Sequence, residues 1–89
     1  MDINTYSTPE EFETPDHFLA AALLASGKRM ARLEWRGKRA FFIFQDFASC
    51  HNSSEAYFRE DLQVKAKRFS DSLRTLKDRI FNSHQYLKY

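Results

Sequence analysis

The sequence is poor in the residues from which phosphate-binding loops and disulfides are built: it contains two glycines and one cysteine. Gly27 and Gly37 lie where a helix end and a hairpin turn are predicted, so neither is free for a glycine-rich loop that cradles phosphate. A single cysteine, Cys50, excludes an intramolecular disulfide and indicates a reducing compartment. We therefore expect a cytoplasmic protein without a phosphate-cradling loop.

The sequence also lacks a membrane span and the residue spacing of a metal centre. Its longest apolar run covers residues 18–25, whereas a membrane-spanning helix needs ~20 apolar residues. Cys50 and His51, close to Asp46, supply the ingredients of a thiol nucleophile and its base, but residues adjacent in sequence rarely face each other productively. We expect no metal, no cofactor, no membrane association and no enzymatic activity. The histidines, which lack metal-ligand spacing, are His17, His51 and His84.

What the sequence does contain is enough apolar and aromatic mass for a core. Hydrophobic residues make up 43% of the chain and aromatic residues 16%, with nine phenylalanines. These fractions are typical of a folded globule and not of a disordered chain. The net charge of +2 conceals an asymmetry, since residues 1–20 are acidic and residues 64–89 are basic. Either the two ends are solvated and attract each other, or the basic end binds a partner.

The N-terminal half predicts an arm, a short strand and a buried helix. Residues 1–9 are polar and predict a flexible arm, and residues 10–89 predict a single domain. A short edge strand is expected around Phe12. Thr14 is expected to cap the following helix, which Gly27 ends in the left-handed conformation.

Residues 29–46 predict a β-hairpin with two different faces. A two-residue turn at Gly37-Lys38 sets three pairs of residues opposite each other on the core face. The alternation of side chains then places the remaining residues on a second face. The core pairs are Trp35 with Ala40, Leu33 with Phe42, and Ala31 with Phe44. The second face carries Phe41 and Ile43 among Arg32, Glu34, Arg36, Arg39 and Gln45.

The C-terminal part predicts two further helices, a short one over residues 53–61 and a longer one from about residue 64 to residue 83. The longer helix carries a narrow apolar seam at alternating spacings of four and three: Leu62, Ala66, Phe69, Leu73, Leu76 and Ile80. The predicted fold is therefore a small two-layer α+β domain, β-α-β-β-α(α), with a short antiparallel sheet packed on helices.

The second hairpin face and the aromatic tail predict a protein-binding surface, because aromatic and arginine side chains are favoured interface anchors. The same apolar pair would instead be covered if residues 47–63 or the tail folded over it, or if it were buried in a homodimeric structural protein. The predicted partner-binding residues are Arg32, Arg36, Arg39, Phe41, Ile43, Tyr86 and Tyr89.

Nucleic-acid binding is the alternative, because a base can stack on Phe41 while nearby cations hold phosphates. Most bases of the C-terminal helix border its apolar seam, as the stems of side chains that cover a core do. That arrangement favours a solvated helix over a phosphate-binding one. The residues of the nucleic-acid alternative are Arg32, Lys38, Arg39, Phe41, Lys67, Arg74 and Lys77.

The order of motifs resembles a small family of uncharacterised bacterial and phage domains. The shared pattern is an aromatic strand entering a Thr/Ser-Pro/Ser-Asp helix cap, an Ala/Leu-rich helix, a hairpin ending in Phe-x-Phe-x-Asp, and a terminal Ser-Leu-x-x-Leu-Lys helix. Here the pattern falls on Phe12, residues 14–16, 19–27, 42–46 and 72–77. The family has no assigned activity, so the resemblance implies only an origin, as an accessory protein of a phage or mobile element. Small proteins of such elements commonly act by occupying a partner, and by that analogy we expect the partner to be a host or phage protein.

Overall fold

The structure is a computed structural model that describes the backbone of residues 10–87 and the side chains of residues 10–83. The described strands form one three-stranded antiparallel sheet, and the predicted α+β fold class is confirmed. The predicted arm, Tyr89 and the side chain of Tyr86 lie outside the described residues. The elements are β1 (Glu11–Thr14), α1 (His17–Ala25), β2 (Met30–Arg36), β3 (Arg39–Gln45), α2 (Phe47–Phe58) and α3 (Ala66–Leu87).

The helices cover one face of the sheet. Phe42 and Phe44 of the central strand β3 are at most 1% exposed and pack in one cluster with Leu23 of α1, Cys50 of α2 and Leu76 of α3. Burying each of the large side chains contributes about 1.5–3 kcal/mol. The predicted seam of the long helix is confirmed as core for its later members, because Phe69, Leu73 and Ile80 pack against this cluster. Its first two members are wrong: Leu62 lies before α3, and Ala66 is exposed at the start of the helix.

The start of α1 differs from the prediction. The N-cap is Asp16, whose carboxylate accepts hydrogen bonds from the backbone N–H groups of Phe18 and Leu19. Thr14 is still a strand residue, paired with Phe42, and its hydroxyl accepts from the backbone N–H of Asp16. Thr14 was the wrong cap because the strand extends to it, and the helix can begin only after the chain has turned.

The hairpin register is confirmed except near its open end. Trp35 pairs with Ala40 and Leu33 with Phe42, and Gly37 has a positive φ of 65° in the turn. The predicted pairing of Ala31 with Phe44 is wrong, because the register shifts between Met30 and Arg32 and places Met30 opposite Phe44. Such a bulge leaves one extra residue without a partner and adds twist to the strand.

The predicted short helix begins earlier than expected. It is α2, and Asp46 caps it by accepting a hydrogen bond from the backbone N–H of Ser49. Asp46 adopts a left-handed conformation with φ 70°, which turns the chain directly from β3 into the helix. A strand, a single turning residue and a helix thus follow one another without a loop.

Two charged side chains at the end of α2 have different neighbours. Glu55 and Arg59 do not pair at their helical spacing. Glu55 lies 3.9 Å from Nε2 of His51, and Arg59 donates to Asp61 at 3.0 Å. Arg59 is the C-cap residue that follows α2, so its side chain is free to turn toward the connection that leads to α3.

Candidate functional site

The face of the sheet opposite the helices carries alternating acids and arginines. We call it the charged sheet face. It lies on the outer side because successive side chains of a strand point to opposite faces, and Phe42 and Phe44 point to the helices. By that alternation and the strand register it consists of Glu11, Glu13, Arg32, Glu34, Arg36, Arg39, Phe41, Ile43 and Gln45.

Ion pairs on the charged sheet face cross the central strand. Arg32 of β2 donates two hydrogen bonds, of 2.9 and 3.1 Å, to the carboxylate of Glu11 in β1. Arg36 of β2 donates to Glu13 of β1 at 2.8 Å and to Glu34 at 3.2 Å. Because β3 lies between β1 and β2, these arginine side chains extend over the residues of β3.

Phe41 and Ile43 are therefore not an open apolar surface. The guanidinium carbon of Arg36 lies 4.3 Å from the centroid of the Phe41 ring, within the range of a cation–π contact. Ile43 stands between its register partners Glu13 and Arg32 and is 0% exposed. Ile43 would touch a partner only if its surroundings rearranged.

The electrostatics of this face are balanced. The hydrogen bond from Arg32 lowers the pKa of Glu11, and the hydrogen bond from Arg36 lowers the pKa of Glu13. The pKa of Arg36 is raised, mainly by its hydrogen bond to Glu13. Both acids are therefore ionised at neutral pH and offset the two arginines. A surface with offset charges does not concentrate a polyanion.

The basic residues predicted on α3 are only partly available. Lys67 donates to Asp71 at 2.8 Å, and Arg74 lies 3.5 Å from the same carboxylate. The hydrogen bond from Lys67 lowers the pKa of Asp71. Lys77 has no ion pair with a described residue.

A different site lies where the hairpin turn, the start of α1 and the second half of α3 meet. It is a cavity of about 420 Å³, which we call the Trp35 groove. Three of its side chains are large and apolar, and two are lysines that make no ion pair with the described part of the chain. The groove is lined by His17, Trp35, Lys38, Lys77, Ile80 and Phe81.

The fold fixes the apolar floor of the groove. Trp35 lies near the end of β2, and its indole N–H donates to the hydroxyl of Ser83 in α3 at 2.8 Å. This bond fastens the sheet to the helix at the side chain that lines the groove. Ile80 packs against the core, whereas Phe81, the next residue of the helix, is 59% exposed. Phe81 thus adds an accessible ring beside a rigid indole.

The lysines reach the groove from different elements. Lys38 follows Gly37 in the hairpin turn and is exposed at the end of the sheet. Lys77 lies one helical turn before Phe81 on α3, so the two side chains share a stripe of the helix. Of the residues predicted for binding, the structure brings only Lys38 and Lys77 into this groove.

Cys50 and His51 do not form a reactive pair. The Cys50 thiol is 0% exposed and donates to the backbone carbonyl of Gln45 at 3.3 Å, and burial raises its pKa. The His51 ring is exposed and stacks on Phe47, with ring centroids 5.4 Å apart. The two side chains therefore have different surroundings. Within residues 10–83, no three His, Cys, Asp or Glu side chains are grouped as metal ligands.

Sequence reasoning missed the Trp35 groove. It assigned Trp35 and Ile80 to the core, and it did not single out Phe81. One signal was present: Phe81 directly follows a seam residue and falls outside the apolar spacing of the helix, so an exposed aromatic ring was to be expected there. No sequence feature indicates that Lys38 and Lys77 line the same groove, because their proximity depends on how the hairpin packs against α3.

Comparisons of the chain with protein families, with curated proteins and with solved structures found no match. The resemblance carried by the sequence motifs therefore stays a prediction. In the part of the chain that the structure describes, none of the helices combines the length and the apolar character needed to cross a membrane.

Proposed function

We propose that the chain is a non-enzymatic protein-binding module and that the Trp35 groove holds its partner. The observation that carries the proposal is the exposed Phe81 ring beside Trp35, with two lysines that have no ion pair in the described structure. Interface hot spots are enriched in tryptophan and other large anchors that sit in pockets with a polar rim. The motif resemblance adds the setting of a phage or mobile element, in which the partner would be a host or phage protein.

The Trp35 groove is a better candidate for the partner-binding surface than the charged sheet face. On that face Arg32 and Arg36 already bind Glu11 and Glu13, and Ile43 has no accessible surface. A partner that contacts Ile43 would have to break these ion pairs and desolvate the charges first. The groove needs no such rearrangement, because its ring and its lysines are accessible.

A site-specific cross-linking experiment tests the proposal. A photo-reactive amino acid is placed at position 81 or, as a matched control, at position 58. Phe58 is also an exposed phenylalanine, 64% exposed against 59% for Phe81, and it does not line the groove. We expect a discrete protein adduct from position 81 and none from position 58. Equal labelling from both positions, or none from either, would contradict the proposal.

Nucleic-acid binding is a second candidate, favoured by the combination of Trp35 with Lys38 and Lys77 in one groove. Lys38, Arg39 and Lys77 have no ion pair with a described residue, whereas Arg32, Lys67 and Arg74 do. Three contacts to phosphates give a salt dependence with a log–log slope of about −2 for a single strand. That is a small electrostatic contribution, and it ranks this candidate second.

Fluorescence anisotropy with labelled single-stranded DNA, duplex DNA and RNA at two salt concentrations separates these candidates. Tight binding with the slope of about −2 would promote nucleic acid. Absence of binding at the lower salt concentration would exclude nucleic-acid binding. A homodimeric structural protein, the remaining alternative, predicts a melting temperature that rises with protein concentration.

A further inference from the structure

We infer that the Trp35 groove recognises an acidic segment of a protein chain, one that carries a large apolar side chain between or beside its carboxylates. This inference rests on the proposed function and names the chemistry of the partner. Three features of the molecule support it: the floor of the groove, the rim of the groove and the contrast with the charged sheet face.

The floor of the groove fits a large apolar side chain of a partner. Trp35, Ile80 and Phe81 provide two aromatic rings and one branched aliphatic side chain. The indole is held in place by its hydrogen bond to Ser83, so the floor is formed before a partner arrives. A volume of about 420 Å³ lies at the small end of the ~300–1,000 Å³ found for ligand pockets. It suits an inserted side chain better than an entire helix.

The positive charge at the rim of the groove fits a partner that carries carboxylates. Lys38 and Lys77 line the groove with cationic side chains, and no Asp or Glu of the described residues lines it. Neither lysine has an ion pair among the described residues. Lysine acts as a compact point charge with three rotatable donors, so carboxylates at somewhat different positions can be accommodated.

The arginines of the charged sheet face differ from the groove lysines, because they form ion pairs within the described structure. Arg32 and Arg36 are matched to Glu11 and Glu13 at 2.9 and 2.8 Å. The groove lysines lie beside an exposed ring and have no such acidic partner among residues 10–83. An incoming acidic segment would supply the missing charge while its apolar residue covers Phe81. Charge complementarity of this kind sets specificity and association rate more than affinity.

Selection from a library of short random peptides tests the inference. The full chain is the bait, together with the double variant Lys38→Glu/Lys77→Glu and the single variants Phe81→Ala and Phe58→Ala. We expect the wild-type chain to enrich peptides in which Asp or Glu flank an aromatic or aliphatic residue. The charge-reversed bait should enrich Lys and Arg at the same places. Circular dichroism of each bait shows that it is folded.

Titration of an enriched peptide then gives the affinities. Trp35 is the single tryptophan of the chain, so its emission reports occupation of the groove directly. Each lysine-to-alanine variant should weaken binding by up to about fivefold, the range of a rim ion pair. Phe81→Ala should weaken binding by about thirtyfold, the threshold of a hot spot, and Phe58→Ala should leave it unchanged.

The outcomes separate the inference from the function on which it rests. Enriched peptides that need Phe81 but show no acidic bias would overturn the acidic partner and leave protein binding standing. No enrichment over an empty bait, with no adduct at position 81, would overturn both. A single-stranded DNA probe that displaces the selected peptide at lower concentration would assign the groove to nucleic acid. If the chain sediments as a dimer and the Phe81→Ala variant sediments as a monomer, the occupant of the Trp35 groove would be a second copy of the chain.

Discussion

The ends of α1 and α2 have the same hydrogen-bonded geometry but different residues at the left-handed position. After α1, the backbone N–H groups of Gly27 and Lys28 donate to the carbonyls of Leu24 and Leu23. After α2, those of Glu60 and Asp61 donate to the carbonyls of Tyr57 and Ala56. Both helices thus end in a Schellman motif. Gly27 has φ 99° and Glu60 has φ 66°, so Glu60 bears a steric cost that glycine does not.

We predict that Glu60→Gly stabilises the protein by about 1 kcal/mol. The left-handed conformation costs a residue with a side chain about 1–2 kcal/mol, and the greater freedom of glycine in the unfolded chain offsets about 0.5–1 kcal/mol of that gain. The Glu60 carboxylate makes no hydrogen bond or ion pair with the described residues. For a domain of this size the melting temperature should rise by about 4–8 °C.

The converse substitution supplies the matched test. A Cβ built on Gly27 meets no atom within 4 Å, so Gly27→Ala adds backbone strain without a clash and should lower stability by about 1 kcal/mol. Glu60→Gln, which removes the charge but keeps the Cβ, should leave stability unchanged. Thermal and urea unfolding followed by circular dichroism measures all of them. A Glu60→Gly midpoint at or below that of the wild type would refute the reasoning.

Three further outcomes follow from the geometry. Asp16→Ala should cost about 1 kcal/mol, the usual loss of a helix N-cap, in the same unfolding assay; no loss would contradict the assignment of the cap. Arg32→Gln should raise the pKa of Glu11 toward its ordinary value, as read from a carboxyl NMR titration. Because that pKa is lowered in the folded state, the carboxylate stabilises the fold above the pKa of the unfolded chain and loses this effect as pH falls through the folded pKa. The thiol of Cys50 should react with a disulfide reagent only as fast as the protein opens, and rapid labelling of the folded chain would show that it is not buried.

The sequence predicted the parts of the fold that depend on local periodicity. The α3 seam at Phe69, Leu73, Leu76 and Ile80 became core, because a helix has one fixed period and its apolar stripe must face the sheet or another helix. The hairpin faces followed in the same way except at the bulge, where Met30 packs against the core and Ala31 is exposed, and Gly37 marked the turn. Each of these predictions needs only the neighbours of a residue along the chain.

The helix starts and the bulge depended on competition between local signals. Thr14 and Asp16 are both good helix caps. Only the pairing of Thr14 with Phe42 shows that Thr14 belongs to the strand and leaves Asp16 as the cap. Asp46 was outside the predicted helix because a left-handed residue other than glycine is uncommon. The bulge between Met30 and Arg32 left no mark in a stretch whose alternation looked regular.

The sites depended on contacts between distant elements, which the sequence alone could not place. The ion pairs of Arg32 and Arg36 could not be predicted, because their partners Glu11 and Glu13 lie in a strand about 20 residues earlier in the chain. The Trp35 groove joins the turn at Lys38 to Lys77 and Phe81 on α3. Such a site arises from packing, and the sequence supplied only its most general feature, an excess of basic and aromatic residues toward the hairpin and the C-terminal helix.

The most direct test of the account is the dissociation constant of the partner that cross-links at position 81, measured by calorimetry with Phe81→Ala and with Phe58→Ala. The account predicts a loss of about thirtyfold or more for Phe81→Ala and an unchanged constant for Phe58→Ala, with equal melting temperatures. Equal constants for the two variants would contradict binding in the Trp35 groove.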